Sequence, residues 1–268
     1  VHRGALPAAH RPGPAHQQVV GVGPARGDVL PVEPLGEQRA ARDHEGRRGG
    51  HVGRQHAGDQ QAERTGKEAA LFLPTGTQSN LAGLMAHCER GDEYIVGQDA
   101  HTYKFEGGGA AVLGSIQPQP IENAPQEYVK EAVAFAKSKG LSTHLDGARA
   151  ANAAVAMKVT LAGVAAGFDT VSICLSKGLG APAGSVLVGT KALIERAYRW
   201  RKVLGGGMRQ AGILAAAGLY AIEHNIARLA DDHANAEYLA QGLKGISEIE
   251  VRAQATNMVF VRLPDDHR

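Results

Sequence analysis

The feature that most constrains the fold of this chain is a repeated switch of hydrophobic period after Gly66. "AALFLP" (69–74) is a short apolar run of strand length. "TGTQSNLAGLMAHCERGD" then supplies a turn, polar capping residues, and Leu81, Leu84, Met85 and Cys88 at helical spacing. "EYIVG" (93–97) and "AAVLGS" (110–115) read as further strands. "EYVKEAVAFAKSKG" (127–140) puts Val129, Ala132, Val133 and Ala136 on one helix face and closes on glycine. "LSTHLD" (141–146), "TVSICL" (170–175) and "SVLVG" (185–189) continue the strand series, a long helix is expected from Gln210 to about Gly245, and "EIEVRA" and "NMVFVRL" read as two last strands. Short apolar strands alternating with helices predict an α/β fold, a mostly parallel sheet covered by helices on both faces.

The first 64 residues have a different character. Ile, Phe, Tyr, Trp, Met, Lys, Ser, Thr, Asn and Cys are all absent before Thr65, yet they fill 61 of the remaining 204 positions. At uniform composition the chance of that absence is on the order of 10 to the minus 10. The ten types present are those whose codons can begin with G or C, the signature of a gene rich in G and C at third codon positions translated one base out of register. Shifting the reading of Gly46–His51 by one base permits Gly-Asp-Glu-Val-Asp-Met. Read instead as native sequence, the segment is a Pro/Arg/Gly-rich tail without aromatic anchors. On either reading, residues 1–64 are expected to contribute nothing to a core.

The whole chain of 268 residues is 43% hydrophobic, enough for a substantial core. A formal charge of +2, with no Lys/Arg stripe interleaved with aromatics, gives no support for a nucleic-acid partner. No run approaches the ~18 apolar residues of a membrane span, so the expectation is a soluble, cytoplasmic protein. Cys88 and Cys174 read as buried structural thiols, and no His/Cys cluster has zinc-ligand spacing.

In open α/β sheets ligands sit at the carboxyl ends of strands, and four such ends carry chemistry. "PTGTQSN" (74–80) opens a helix, where backbone N–H groups and the helix dipole suit a phosphate. "DAHTYKFEGGGA" (99–110) places His101 after a strand, "HLDGAR" (144–149) places Asp146 at a strand end with Arg149 behind it, and "SICLSKG" (172–178) ends a strand on Lys177. Singly, these read as a capped turn, a surface or packing histidine, a cap with a salt bridge, and a lysine that is either misplaced or salt-bridged. Together they match what pyridoxal phosphate requires: an amine to form an imine, a carboxylate for the ring nitrogen, a phosphate cradle and a group to stack on the ring. A lysine taken out of water would also be a better nucleophile. The competing motifs fail, since "GVGPAR" lacks the third glycine of a dinucleotide loop and Gly66-Lys67 lacks the surroundings of a P-loop.

From Gly66 onward the chain resembles the low-specificity L-threonine aldolases, fold-type I pyridoxal-phosphate enzymes of the aspartate-aminotransferase-like group. The resemblance runs through "GKEAALFLPTGTQSNLAGLMAHCERGDEYIVGQDAH", "VLGSIQPQPI", "HLDGAR", "SICLSKGLGAPAGSVLVG" and "RWRKVLGGGMRQAGILAAAG". It implies that Lys177 forms the imine with the cofactor, Asp146 pairs with the ring nitrogen, Arg149 lies near the ring hydroxyl, His101 stacks on the ring, and Gly76 with Thr77 holds the phosphate. It further implies that Arg209 and Lys202 reach the site of a neighbouring subunit in a homo-oligomer, a tetramer in the family. The implied reaction is retro-aldol cleavage of L-threonine or L-allo-threonine to glycine and acetaldehyde, and Asp146→Asn should nearly abolish it.

Three family features are missing from the sequence. These are an N-terminal Arg-Ser-Asp-Thr and Gly-Asp-Asp-Val region, several tens of residues with a Glu-Asn-Thr-His stretch where "PQPIENAPQEY" runs on directly, and a C-terminal arginine for the substrate carboxylate. The expected organisation is therefore an anomalous segment 1–64, a cofactor-binding large domain 65–209 with a deletion near 123–125, and a long helix plus an incomplete small domain over 210–268. A central strand is expected to be lost with the deletion, leaving an apolar hole. The cofactor platform survives while substrate-positioning groups do not, so the chain as written is expected to be weak or inactive. A β-eliminating lyase or aminotransferase of the same fold, or a non-functional remnant, are the alternatives.

Overall fold

The computed structural model describes residues 18–23, 58–123 and 128–264. Strand β1 (Gln18–Gly23) is followed by helix α1, described over 58–65, then β2 (Ala69–Leu73), α2 (Gly76–His87) and β3 (Glu93–Gly97). Two single turns, α3 (His101–Lys104) and α4 (Gly109–Val112), lead to β4 (Gln117–Ile121), α5 (Val129–Ser138) and β5 (Ser142–Asp146). Helices α6 (Ala150–Met157) and α7 (Leu161–Ala165) precede β6 (Thr170–Cys174), β7 (Ser185–Gly189) and α8 (Lys191–Val203). Helices α9 (Gly212–His224) and α10 (Leu229–Leu243) then lead to an antiparallel hairpin of β8 (Glu250–Ala255) and β9 (Met258–Arg262) that packs against α10.

Seven strands form one sheet in the order β2-β7-β6-β5-β1-β3-β4. The pairings make β2, β6, β5, β3 and β4 parallel to one another, with β7 and β1 running the opposite way. Strands β6 and β7 are buried at every position, as runs covered on both faces must be. Alternation divides the core. Phe72, Leu145, Val171, Ile173, Val186 and Val188 face one side and pack with Ala150, Ala151, Ala154, Phe168 and Ile222. Leu71, Leu73 and Leu187 face the other, against Ala82 and Ala86 of α2 and Ile194 and Ala197 of α8. Both cysteines are free and buried, as expected, and no helix among the described residues is long and apolar enough to cross a membrane.

The structure corrects three expectations. "AAVLGS" is not a strand. Gly108 in the left-handed region (φ 65°) starts α4, and the strand is the following Gln117–Ile121. Two alanines and a valine fit either period, whereas Pro118 and Pro120 look unlike a strand but are tolerated because β4 is an edge strand, with a side that has no ladder to donate to. The long helix is two helices, broken between His224 and Leu229, where the Asn225 side-chain amide leaves the helical path to donate to the Leu179 carbonyl.

The third correction concerns the amino-terminal segment and the missing strand. Residues 18–23 form β1 inside the sheet, third from the β4 edge and antiparallel to both neighbours, with Val20 opposite Val96 on one side and His144 on the other. The expected central gap is thus filled by backbone from the compositionally odd segment. Gln61 and Ala62 on α1 are also buried. The rest of that segment, residues 1–17 and 24–57, and most of the deletion junction at 123–125 lie outside the described residues.

Candidate active site

Four strand ends meet at one cavity of about 330 Å³, within the size range of small-molecule sites. At the end of β2, Thr75 caps α2, its side chain accepting the Gln78 N–H at 3.2 Å. Gly76 and Thr77, whose N–H groups have no acceptor within the helix, line the cavity. A Cβ on Gly76 would lie 2.8 Å from Cys174 Sγ and 3.6 Å from Ser185 Oγ, so only glycine lets the helix start approach the ends of β6 and β7 this closely.

Asp146 ends β5 and is buried. It accepts the Ala148 N–H at 3.3 Å and a hydrogen bond from the Asn80 side chain. Burial raises its pKa, opposed by the charges of Lys177 and His101. Lys177 follows β6 and lines the same cavity, but it is exposed rather than taken out of water, because the site is open where the strand ends. Cys174, also lining the cavity, receives a hydrogen bond from Ser185 Oγ at 3.3 Å, and burial pushes its thiol pKa up.

His101 starts α3 just after β3. Its side chain is 47% exposed, and Nδ1 lies 3.0 Å from Glu106 Oε1. The Glu106 carboxyl is almost wholly buried and also accepts from Asn80 Nδ2 at 2.8 Å. Its pKa is raised, by burial first, with the bonds from Asn80 and His101 acting the other way. One polar atom from each of His101, Glu106 and Asp146 lies within 4.8 Å of the other two.

Of the residues expected from sequence, Gly76, Thr77, His101, Asp146 and Lys177 all line the cavity, and Arg149, Lys202 and Arg209 do not. Arg149 sits behind it, its charge reaching Cys174 and its buried Nε without a hydrogen-bond partner among the described residues. Lys202 and Arg209 are exposed, at the end of α8 and in the segment before α9. Sequence reasoning missed Glu106 and Asn80. Their signals were present: Asn80 stands one helical turn after Gly76, and Glu106 follows His101 by just over one turn.

A family model described as beta-eliminating lyase matches residues 37–128 and 122–266, most of the chain. The chain belongs to the beta-eliminating lyase family. Among relatives in this family, the low specificity L-threonine aldolase of Escherichia coli strain K12 is 49% identical over 247 residues, covering 78% of this chain and 74% of that protein. The probable low-specificity L-threonine aldolase 2 of Arabidopsis thaliana is 40% identical over 251 residues, covering 76% and 71%. Among solved structures, a putative L-allo-threonine aldolase from Listeria monocytogenes superposes with a TM-score of 0.71 over 84% of this chain and 73% of that one at 20% identity, which bears on the fold alone. The beta-eliminating lyase match falls into two pieces that meet at residues 122–128. The Escherichia coli alignment is 247 residues long but takes up 78% of 268, about 209, so about 38 residues of the relative have no counterpart here.

Proposed function

We propose that this chain binds pyridoxal 5'-phosphate at the cavity and has the activity of its relatives, cleavage of L-threonine or L-allo-threonine to glycine and acetaldehyde. The observation that carries this reading is the convergence of a helix start, an imidazole, a buried carboxyl and an amine, each from a different strand end, on one cavity. The residues fit the cofactor. The start of α2 and the Thr77 hydroxyl would take the phosphate. Asp146 is a buried carboxyl without an ion pair within 4.0 Å among the described residues, the setting in which a cationic ring N–H is a favourable partner. Lys177 is the amine that would hold the cofactor's aldehyde.

When bound, the cofactor supplies a conjugated, protonated ring that accepts the electron pair released as the Cα–Cβ bond breaks. The chain's own contribution is positional and electrostatic. Asp146 would hold the ring nitrogen in its protonated form, and Glu106 holds the His101 imidazole at Nδ1, fixing its orientation at the cavity mouth. Among the described residues no arginine lines the cavity, and the family match divides at residues 122–128, where its two pieces overlap. This supports an internal deletion and a turnover below that of the relatives, because fewer of the chain's own groups orient the substrate. Lys202 and Arg209, exposed and outside the chain's own cavity, support a homo-oligomer in which they serve a neighbouring site. A cytoplasmic location, where thiols stay reduced, is part of the same proposal.

Titrating pyridoxal phosphate into the chain should produce the visible absorbance band of a lysine imine that Lys177→Ala abolishes without lowering the melting temperature. Soluble, cooperatively melting protein with no such band would refute the reading. Acetaldehyde from threonine separates it from β-elimination or transamination by the same fold.

A further inference from the structure

Between α2 and the sheet lies a row of polar side chains, and for all of them but Asp146 holding the cofactor gives no reason. Strand alternation turns Leu145, Val171 and Ile173 into the apolar core, and it turns His144, Asp146, Thr170 and Ser172 toward α2. Helix α2 answers at one-turn spacing with Ser79 and Asn80, then Gly83, then His87. The pairing is specific: Ser172 Oγ donates to Ser79 Oγ at 2.7 Å, and a Cβ on Gly83 would lie 2.9 Å from His144 Cε1 and 3.0 Å from Nδ1, so the glycine makes room for the imidazole.

Asn80, His144 and Thr170 are almost completely buried. His87 Nε2 lies 2.7 Å from Thr170 Oγ1, which lies 2.8 Å from His144 Nδ1, and His144 Nε2 lies 3.2 Å from Asn80 Oδ1. Burial holds both imidazoles neutral, with pKa values pushed down to about 3 for His144 and about 4 for His87. A neutral imidazole donates from one nitrogen and accepts at the other. Because Asn80 Oδ1 only accepts, His144 donates from Nε2 and accepts the Thr170 hydroxyl proton at Nδ1, and that hydroxyl in turn accepts from His87 Nε2–H. Every donor then points along the row toward the cavity. At its end the Asn80 amino group serves both Glu106 and Asp146.

We propose that His144, oriented by Thr170 and His87, is a positioning residue that locks the Asn80 amide with its N–H groups on Glu106 and Asp146, thereby holding both carboxyls ready for a cationic partner. With the lock removed, the amide is free to turn its oxygen toward the carboxyls, an arrangement that favours their protonated forms. The inference rests on the cofactor reading for its functional consequence. The charged and titratable groups facing Asp146 are Lys177, His101, Glu106 and Cys174; those facing Glu106 are His101, Asp146 and Tyr94.

The test compares wild type, His144→Leu, His144→Gln and Thr170→Val by equilibrium dialysis of pyridoxal phosphate across pH 5.5–8.5. Glutamine offers an amino group and a carbonyl in place of the two ring nitrogens, and valine preserves threonine's shape. Leucine and valine are expected to weaken binding by about tenfold or more and to move its acid limb to higher pH, with glutamine close to wild type. Unchanged affinity and acid limb in Thr170→Val, or equal losses in the leucine and glutamine variants, would overturn the lock. If His144→Leu does not fold, Thr170→Val carries the test. Wild type that takes up no cofactor refutes the cofactor reading alone. Nitrogen-15 spectra of the cofactor-free protein then decide the lock: Nε2–H on both imidazoles supports it, and Nδ1–H on His144 overturns it.

Discussion

Placing proline at Val20 tests the most unexpected element of the fold. Val20 lies mid-way along β1, paired with β3 through Val96 and with β5 through His144, so both edges of the strand are engaged. On an edge strand a proline can turn its missing N–H to solvent; a central strand has no such side. The substitution removes a ladder hydrogen bond and drives the ring against a neighbouring strand, at a cost of about 3 kcal/mol or more. At about 2–4 °C per kcal/mol for a chain of this size, Val20→Pro should lower the melting temperature by roughly 6–12 °C. Losing β1 would also unpair four residues of β3 and five of β5. Amide hydrogen exchange at Ile95 and His144, whose N–H groups face β1, should therefore accelerate, while Leu187 and Val188 on β7, two strands beyond β5, stay protected. A variant that melts with the parent and exchanges no faster at those amides would show that the amino-terminal segment does not complete the sheet.

Two further perturbations address the site. Gly76→Ala forces a methyl to within 2.8 Å of Cys174 Sγ, an overpacking worth about 1–3 kcal/mol; cofactor affinity, measured by dialysis, should fall several-fold, and unaltered binding would contradict the close approach. The pH dependence of stability follows from His87 and His144. Their folded pKa values of about 4 and about 3 lie below the ordinary 6.5, so between pH 6.5 and about 4 the unfolded chain binds protons that the folded chain does not. Stability present above pH 6.5 is lost on acidification, by up to ~1.4 kcal/mol per pH unit for each group. Glu106 and Asp146, raised by burial, act in the opposite sense, so the histidine share is isolated by comparison. Urea unfolding of His87→Gln should lose less stability between pH 7 and pH 5 than the parent does, and parallel losses would refute the assignment.

Much of the site was legible because it is carried by local sequence. The run "SICLSKG" fixes Lys177 at the end of a buried strand whatever surrounds it, and period two along "STHLD" puts His144 and Asp146 on one face. The expected strands 69–74, 93–97, 141–146, 170–175 and 185–189 each fall within a residue of β2, β3, β5, β6 and β7. The same locality explains the errors. The period of "AAVLGS" suits helix or strand equally, and what excludes the strand is the neighbouring "QPQPI" taking the edge beside β3. The break between α9 and α10 depends on a hydrogen bond from Asn225 to Leu179, which no window of local sequence contains.

By itself, then, the sequence determined the alternating elements, the polar residues at their carboxyl ends and the family to which they belong, since each depends on spacing within a few residues. The tertiary structure alone decided what lies between those elements. It set β1 from a segment without helical or aromatic signals into the interior of the sheet, because a gap flanked by two strands leaves backbone donors and acceptors that any extended stretch can satisfy. It also joined Asn80, His144, Thr170 and His87 into one buried row leading to Glu106 and Asp146, because the meaning of a polar side chain inside a protein is set by the partner across the layer, and that partner is chosen by packing.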